Sequence, residues 1–254
     1  MKIGFCANVF SDEELRPSLK ALGEMGYDGV ELWDAQLRDT DIGRLGEYLS
    51  SLGLEVLQVC PYFNVTGTQD ELDATMETAR EYMKIANTLG CKLIRVFTGS
   101  VSSGEAAAVY SRAVEALREI CAMGRGEGLF YALETHEGSL MDTGPATLRL
   151  IQDVGAENLK VNLQIPLDGG REDIFHSAAL LGAHTIHIHA HNWIGSWPNF
   201  TFLDAGDYDF RQFLTVLREQ GFDGAVSIEH GYHSGLSPLE IARREIEYLK
   251  QYKR

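Results

Sequence analysis

Basic residues are scarce in this chain. Its 22 Lys and Arg stand against 37 Asp and Glu, a formal charge of −15 over 254 residues. That balance argues against a nucleic-acid partner, because duplex binding relies on basic patches that neutralise phosphates. The four cysteines, Cys6, Cys60, Cys91 and Cys121, are widely spaced and form no C-x-x-C pair. Most lie in or beside apolar strand-like runs, so reduced, buried thiols and a cytoplasmic setting are expected. No apolar run approaches the ~18 residues of a membrane span, and MKIGFCANVF lacks a signal-peptide layout, so no membrane partner is expected. No Pro/Gly/Ser-rich linker breaks the chain, which reads as one domain over 1–254. No G-x-G-x-x-G turn follows the first strand candidate and no P-loop occurs anywhere, which weighs against a doubly wound nucleotide-binding sheet.

The chain is rich in short β-forming runs separated by longer segments of helical periodicity. With 44% apolar residues there is ample material for a core. Strand candidates are 2–10, 27–33, 54–60, 92–97, 129–135, 159–165, 185–191 and 225–231. Between them, SDEELRPSLKALGEMG places Ser11 as a helix cap with Glu14 completing a capping box. Several helices run into a glycine suited to closing them: Gly26, Gly53, Gly90 and Gly221. "ALGEMGYDGVEL" and "VLREQGFDGAVSIE" echo one another as a single repeated βα module. Eight strands alternating with about eight helices predict a (β/α)8 TIM barrel, whose chemistry gathers at the C-terminal strand ends.

The residues at those ends are chemically selective. Glu31 and Trp33 end the second strand, Glu134 and His136 the fifth, Gln164 the sixth, His189 and His191 the seventh, and Glu229 the eighth. In "TIHIHAHNW" the alternation of a strand puts His187, His189 and His191 on one face. Carboxylates converging with imidazoles and a carboxamide suit a hard or borderline divalent cation, which neutralises their repulsion. Each residue also has an ordinary reading, as a solvated or Lys-paired Glu or a satisfied core His. His187, one pleat deeper than His189, is expected to be such an interior residue.

These motifs, in order, resemble the xylose isomerase-like TIM barrel superfamily, the sugar isomerase/epimerase and endonuclease IV group. "LGEMGYDGVELW", "ALETHEGSLMDTGPATLRLIQDVGAENLKVNLQI", "TIHIHAHNW", "DAGDYDF" and "GFDGAVSIEH" carry the resemblance over essentially the whole chain. It implies a divalent ion (Mn, Mg, Co or Zn) held by Glu134, Gln164, His189 and Glu229. Gln164 stands where the family usually has Asp, so a weaker metal site, or none, is expected. His191 and Asn192 replace the usual Lys and Asp. Leu167 occupies a place where some members carry a substrate-contacting His.

What the resemblance implies is a carbohydrate isomerase or epimerase acting through an enediolate. Glu134 and Glu229 would be the catalytic proton carriers. His136, His191 and Trp193 would meet the substrate, with Trp197 beside them as an aromatic wall. A lyase or dehydratase acting on a keto-sugar or keto-inositol begins with the same proton removal and remains the alternative. A non-catalytic sugar-binding barrel is a further one. An abasic-site endonuclease conflicts with the acidic charge. Phosphorylated substrates are disfavoured because the only rim cations in view are Arg95 and Arg171. A homo-oligomer is compatible with the resemblance, and nothing in the residues decides it.

Overall fold

Each of the eight apolar runs becomes a barrel strand. The computed structural model describes residues 1–229 and 235–253. Its strands and helices are β1 (Lys2–Cys6), α1 (Asp12–Met25), β2 (Gly29–Trp33), α2 (Asp34–Leu37), α3 (Ile42–Ser51) and β3 (Glu55–Cys60). There follow α4 (Gln69–Thr88), β4 (Leu93–Val96), α5 (Tyr110–Arg125), β5 (Phe130–Glu134), α6 (Gly144–Val154), β6 (Leu159–Leu163) and α7 (Ile174–Leu181). The chain continues through β7 (Thr185–Ala190), β8 (Asn192–Trp193), β9 (Phe200–Thr201), α8 (Phe210–Glu219), β10 (Ala225–Ile228) and α9 (Pro238–Lys250).

The strands close in the order β1-β10-β7-β6-β5-β4-β3-β2, all parallel, while β8 and β9 form a separate antiparallel hairpin. This is the (β/α)8 barrel expected from the element count. No helix among the described residues is long and apolar enough to cross a membrane.

Local chemistry explains the boundaries. Ser11 and Glu14 form the capping box of α1, and Gly26 closes that helix at φ 89°, a left-handed turn that side-chain-bearing residues resist. Thr68 with Glu71 and Ser237 with Glu240 repeat the device on α4 and α9. The first predicted strand is shorter than expected, giving way to a tight turn at Ala7–Val9. The last two residues of the eighth predicted strand, 230 and 231, lie outside the described residues.

Alternation along each strand divides the core in two. Val30 and Leu32 on β2, or Ile188 on β7, are buried beneath the helices, where Leu19, Leu22, Leu117, Ile120, Leu214 and Leu217 meet them. Each such side chain contributes roughly 1.5–3 kcal/mol of burial free energy. The inward positions carry Cys6, Glu31, Gln58, Cys60, Arg95, Glu134, Asn162, Gln164, His187, His189, Ser227 and Glu229, all buried. A barrel lumen usually takes branched aliphatic residues. Here the outer layer supplies the apolar core and the lumen is polar.

Candidate active site

Register sets the heights of the lumen residues. Glu134 lies opposite Asn162, which lies opposite His187, while His189 lies opposite Ser227. Glu31, opposite Cys6 and Gln58, reaches across the barrel to β7. Its Oε1 accepts from His187 Nε2 at 2.7 Å and from Cys6 Sγ at 3.4 Å. Its Oε2 accepts from His189 Nε2 and Gln58 Nε2, both at 3.0 Å, and from Cys60 Sγ at 3.4 Å. Burial works against a charge on Glu31, but His189 and His187 outweigh it and hold its pKa well below the usual carboxylate range. Burial pushes both thiols well above theirs, so they remain S–H donors.

The other edge of the His189 ring faces the barrel mouth. Its Nδ1 lies 3.0 Å from Glu134 Oε1, 3.2 Å from Gln164 Oε1 and 3.4 Å from Glu229 Oε1. Ligand atoms of Glu134, His189 and Glu229 all fall within 4.8 Å of one another. Two donors on a dication with ~2.1 Å bonds stand about 3.0 Å apart at right angles and about 3.4 Å apart at a tetrahedral angle. The three spacings from His189 Nδ1 fall in that range, so Glu134, His189 and Glu229, with Gln164 beside them, could hold a divalent ion. Burial opposes a positive charge on His189, yet Glu31, Glu229 and Glu134 together raise its pKa well above the ordinary imidazole value.

Glu134 is held from behind. Arg95 Nη1 donates to Glu134 Oε2 at 2.6 Å, and its Nη2 donates to the Pro61 carbonyl at 2.9 Å. The guanidinium lies 4.2 Å from the Trp33 ring and 4.7 Å from the Tyr62 ring. Burial raises the Glu134 pKa, but Arg95 and then His189 bring it below the usual value. Arg95, read from the sequence as a rim cation, is 2% exposed. It is committed to Glu134 and is not available as an open phosphate site. Arg171 is exposed and paired with Asp168.

Beside the cluster opens a cavity of about 430 Å³, which meets it at Gln164. His136, Trp193 and Trp197 line it, with Ile165, Pro166 and Ile174 adding apolar wall. His136 Nδ1 donates to the Glu137 carbonyl at 2.7 Å. His191 does not line this cavity. It donates through Nε2 to the Ile165 carbonyl, and its Nδ1 lies 3.4 Å from Glu229 Oε2. Trp197 and Phe200 pack edge-on against its ring. The hairpin loop bearing both tryptophans is fastened by Asn192, whose Nδ2 donates to the carbonyls of Leu203 and Tyr208 at 3.0 Å. Gly206 lets the chain pass over that amide, since a Cβ there would stand 1.9 Å from Asn192 Oδ1.

Of the residues singled out from sequence, Glu134, Gln164, His189 and Glu229 meet at one point, and His136 and Trp193 share the adjoining cavity. His187 is fully buried as expected, but as a hydrogen-bond partner of Glu31 and Ser227. Glu31 and Arg95 are the side chains whose part in the cluster went unread. Glu31 is visible as a strand-end acid, yet its two histidine partners lie more than 150 residues away.

Comparison with known proteins agrees with the fold. The chain is 29% identical over 150 residues to 3-dehydroshikimate dehydratase of Bacillus anthracis, a match covering 55% of this chain and about half (52%) of that relative. It is 25% identical over 252 residues to L-ribulose 3-epimerase of Mesorhizobium japonicum, covering 90% and 80% of the two chains. The crystal structure of the probable 3-DHS dehydratase from Bacillus anthracis superposes with a TM-score of 0.83 at 22% identity, covering 98% and 99%. The IOLI protein, solved with a bound zinc atom, gives a TM-score of 0.83 at 19% identity, covering 98% and 97%. The sequence model of the xylose isomerase-like TIM barrel matches residues 19–252. The protein belongs to the xylose isomerase-like TIM barrel family.

Proposed function

We propose that the protein is a carbohydrate isomerase or epimerase that moves a proton on a carbon next to a carbonyl. Glu134 and Glu229 are the proton carriers, and Glu134, Gln164, His189 and Glu229 are the ligands of a divalent ion. The observation that carries this reading is the placing of the two carboxylates on either side of His189 Nδ1, at 3.0 and 3.4 Å. When bound, the ion would polarise a substrate oxygen and stabilise the negative charge that builds on it.

The residues divide the remaining work. Arg95 fixes Glu134 by one oxygen and leaves the other turned to the centre. Glu229 has one oxygen toward His189 and the other toward His191, which supports a role for His191 in orienting Glu229. The tryptophan wall offers an aromatic face to a ring, and His136 offers Nε2 to a hydroxyl. The described cavity lining includes Glu137 and Glu172 and no Lys or Arg, which favours neutral over phosphorylated substrates. Gln164 in place of a third acid lowers the negative charge available to the ion. Replacing it therefore tells how much the site depends on charge.

A dehydratase is the second reading, favoured by the Bacillus anthracis relative. Both readings start with the same proton removal and differ in whether water leaves. Incubation with a panel of free sugars, sugar phosphates and keto-acids in D2O, followed by NMR and mass analysis, separates them. Isomerisation or epimerisation incorporates deuterium beside the carbonyl and otherwise conserves composition, whereas dehydration loses one water. Glu134→Gln and Glu229→Gln are each expected to abolish turnover while the far-UV dichroism stays unchanged. Full turnover in both variants refutes the assignment.

A further inference from the structure

We propose that Glu31 is a positioning residue that fixes His189 with a hydrogen on Nε2, so that the Nδ1 lone pair is the one presented to Glu134, Gln164 and Glu229. The inference rests on reading that cluster as a metal centre. A carboxylate can only accept, so every polar atom gathered around it must donate. Five do so: two imidazoles from β7, two thiols from β1 and β3, and the Gln58 amide. His189 Nε2 stands 3.0 Å from Glu31 Oε2 and must therefore carry hydrogen. A ligating imidazole is neutral and has one N–H, so with that hydrogen fixed on Nε2 it is Nδ1 that gives up its proton to a cation on the side where the ligand oxygens converge.

The neighbouring groups agree. The Asn162 carboxamide reaches the same Nε2 at 2.9 Å, and its oxygen, presented by a flip of the amide, is the atom that can accept there. Glu31 itself cannot turn. His187 holds its other oxygen at 2.7 Å, and Gln58 holds the same oxygen as His189 at 3.0 Å. The ring of His189 is thus clamped at one nitrogen from beneath the cluster. A carboxylate on the far nitrogen of a ligating histidine also raises its donor strength, and losing such a partner weakens metal binding about 10- to 100-fold.

Glu31→Gln keeps the shape but offers an amide N–H to one of the donors now satisfied. Titration of the metal-free full-length wild type and variant with Mn2+ or Zn2+ by calorimetry is expected to show one site in each, with the variant about 10- to 100-fold weaker. Wild-type affinity in a folded variant overturns the proposal. A second measurement does not depend on the variant folding or on any metal: the 15N resonances of His189 in the metal-free wild type. Nε2 is expected to be bonded to hydrogen. A bare Nε2 with hydrogen on Nδ1 alone overturns the proposal even if metal binds. Absence of any metal binding in the wild type would instead sink the metal-centre reading, and the nitrogen assignment alone would then decide the role of Glu31.

Discussion

Replacing Glu245 with Gln should change how stability depends on pH, by an amount that follows from its surroundings. Glu245 lies on α9 with 2% exposure, and its Oε1 accepts the Leu203 N–H at 2.9 Å. Its Oε2 has no hydrogen-bond partner among the described residues. Burial is the main force on it and Asp204 adds to it, against weaker help from the Leu203 amide and Arg244. Together they raise the pKa from 4.5 to about 7. The folded protein therefore holds a proton that the unfolded chain releases between pH 4.5 and about 7, and stability falls as pH rises through that window. That difference is worth about 3 kcal/mol, fully present below pH 4.5 and lost above about pH 7. Gln keeps the acceptor for Leu203 and has no proton to lose. Urea denaturation of both proteins from pH 5 to pH 8 should show the difference between them moving by about 2–3 kcal/mol in favour of the variant. The consequence reaches the site, because Leu203 also anchors the Asn192 amide beneath the tryptophan hairpin. A stability difference that is flat across this range refutes the reasoning.

Two further outcomes concern the cluster itself. Arg95→Met strips the buried Glu134 of its guanidinium partner, leaving only His189 beside it, and should cost about 3–5 kcal/mol in urea denaturation. Adding Glu134→Gln to that variant should recover most of the loss. Gln164→Asp adds a third carboxylate to the four-residue cluster. It should tighten Mn2+ binding about tenfold or more by calorimetry, while lowering the stability of the metal-free protein through repulsion with Glu134 and Glu229.

The barrel was legible because its signals are local. Alternating apolar runs, capping boxes such as Ser11–Glu14 and closing glycines such as Gly26 each act within a few residues, and eight repeats of them leave few alternative folds. The side chains at strand ends were legible for the same reason, since a period of two says which residues share a face. It does not say what stands opposite. Glu31 meets His187 across 156 positions of chain because ring closure brings β2 and β7 to face one another. Arg95 looked like a rim residue, but register sets it opposite Ala132, two positions below Glu134. Its long side chain rises to that acid beneath Trp33 and Tyr62. The cavity wall depends on how the 194–199 loop is pinned by Asn192, a long-range contact that composition does not reveal.

Glu134, Gln164, His189 and Glu229 are proposed to share one cation. Anomalous diffraction from crystals grown with Mn2+ tests it most directly. One peak is expected about 2.0–2.2 Å from His189 Nδ1 and from an oxygen of each of the other three residues. A peak elsewhere, or none at saturating Mn2+, rules out a shared ion at these four residues.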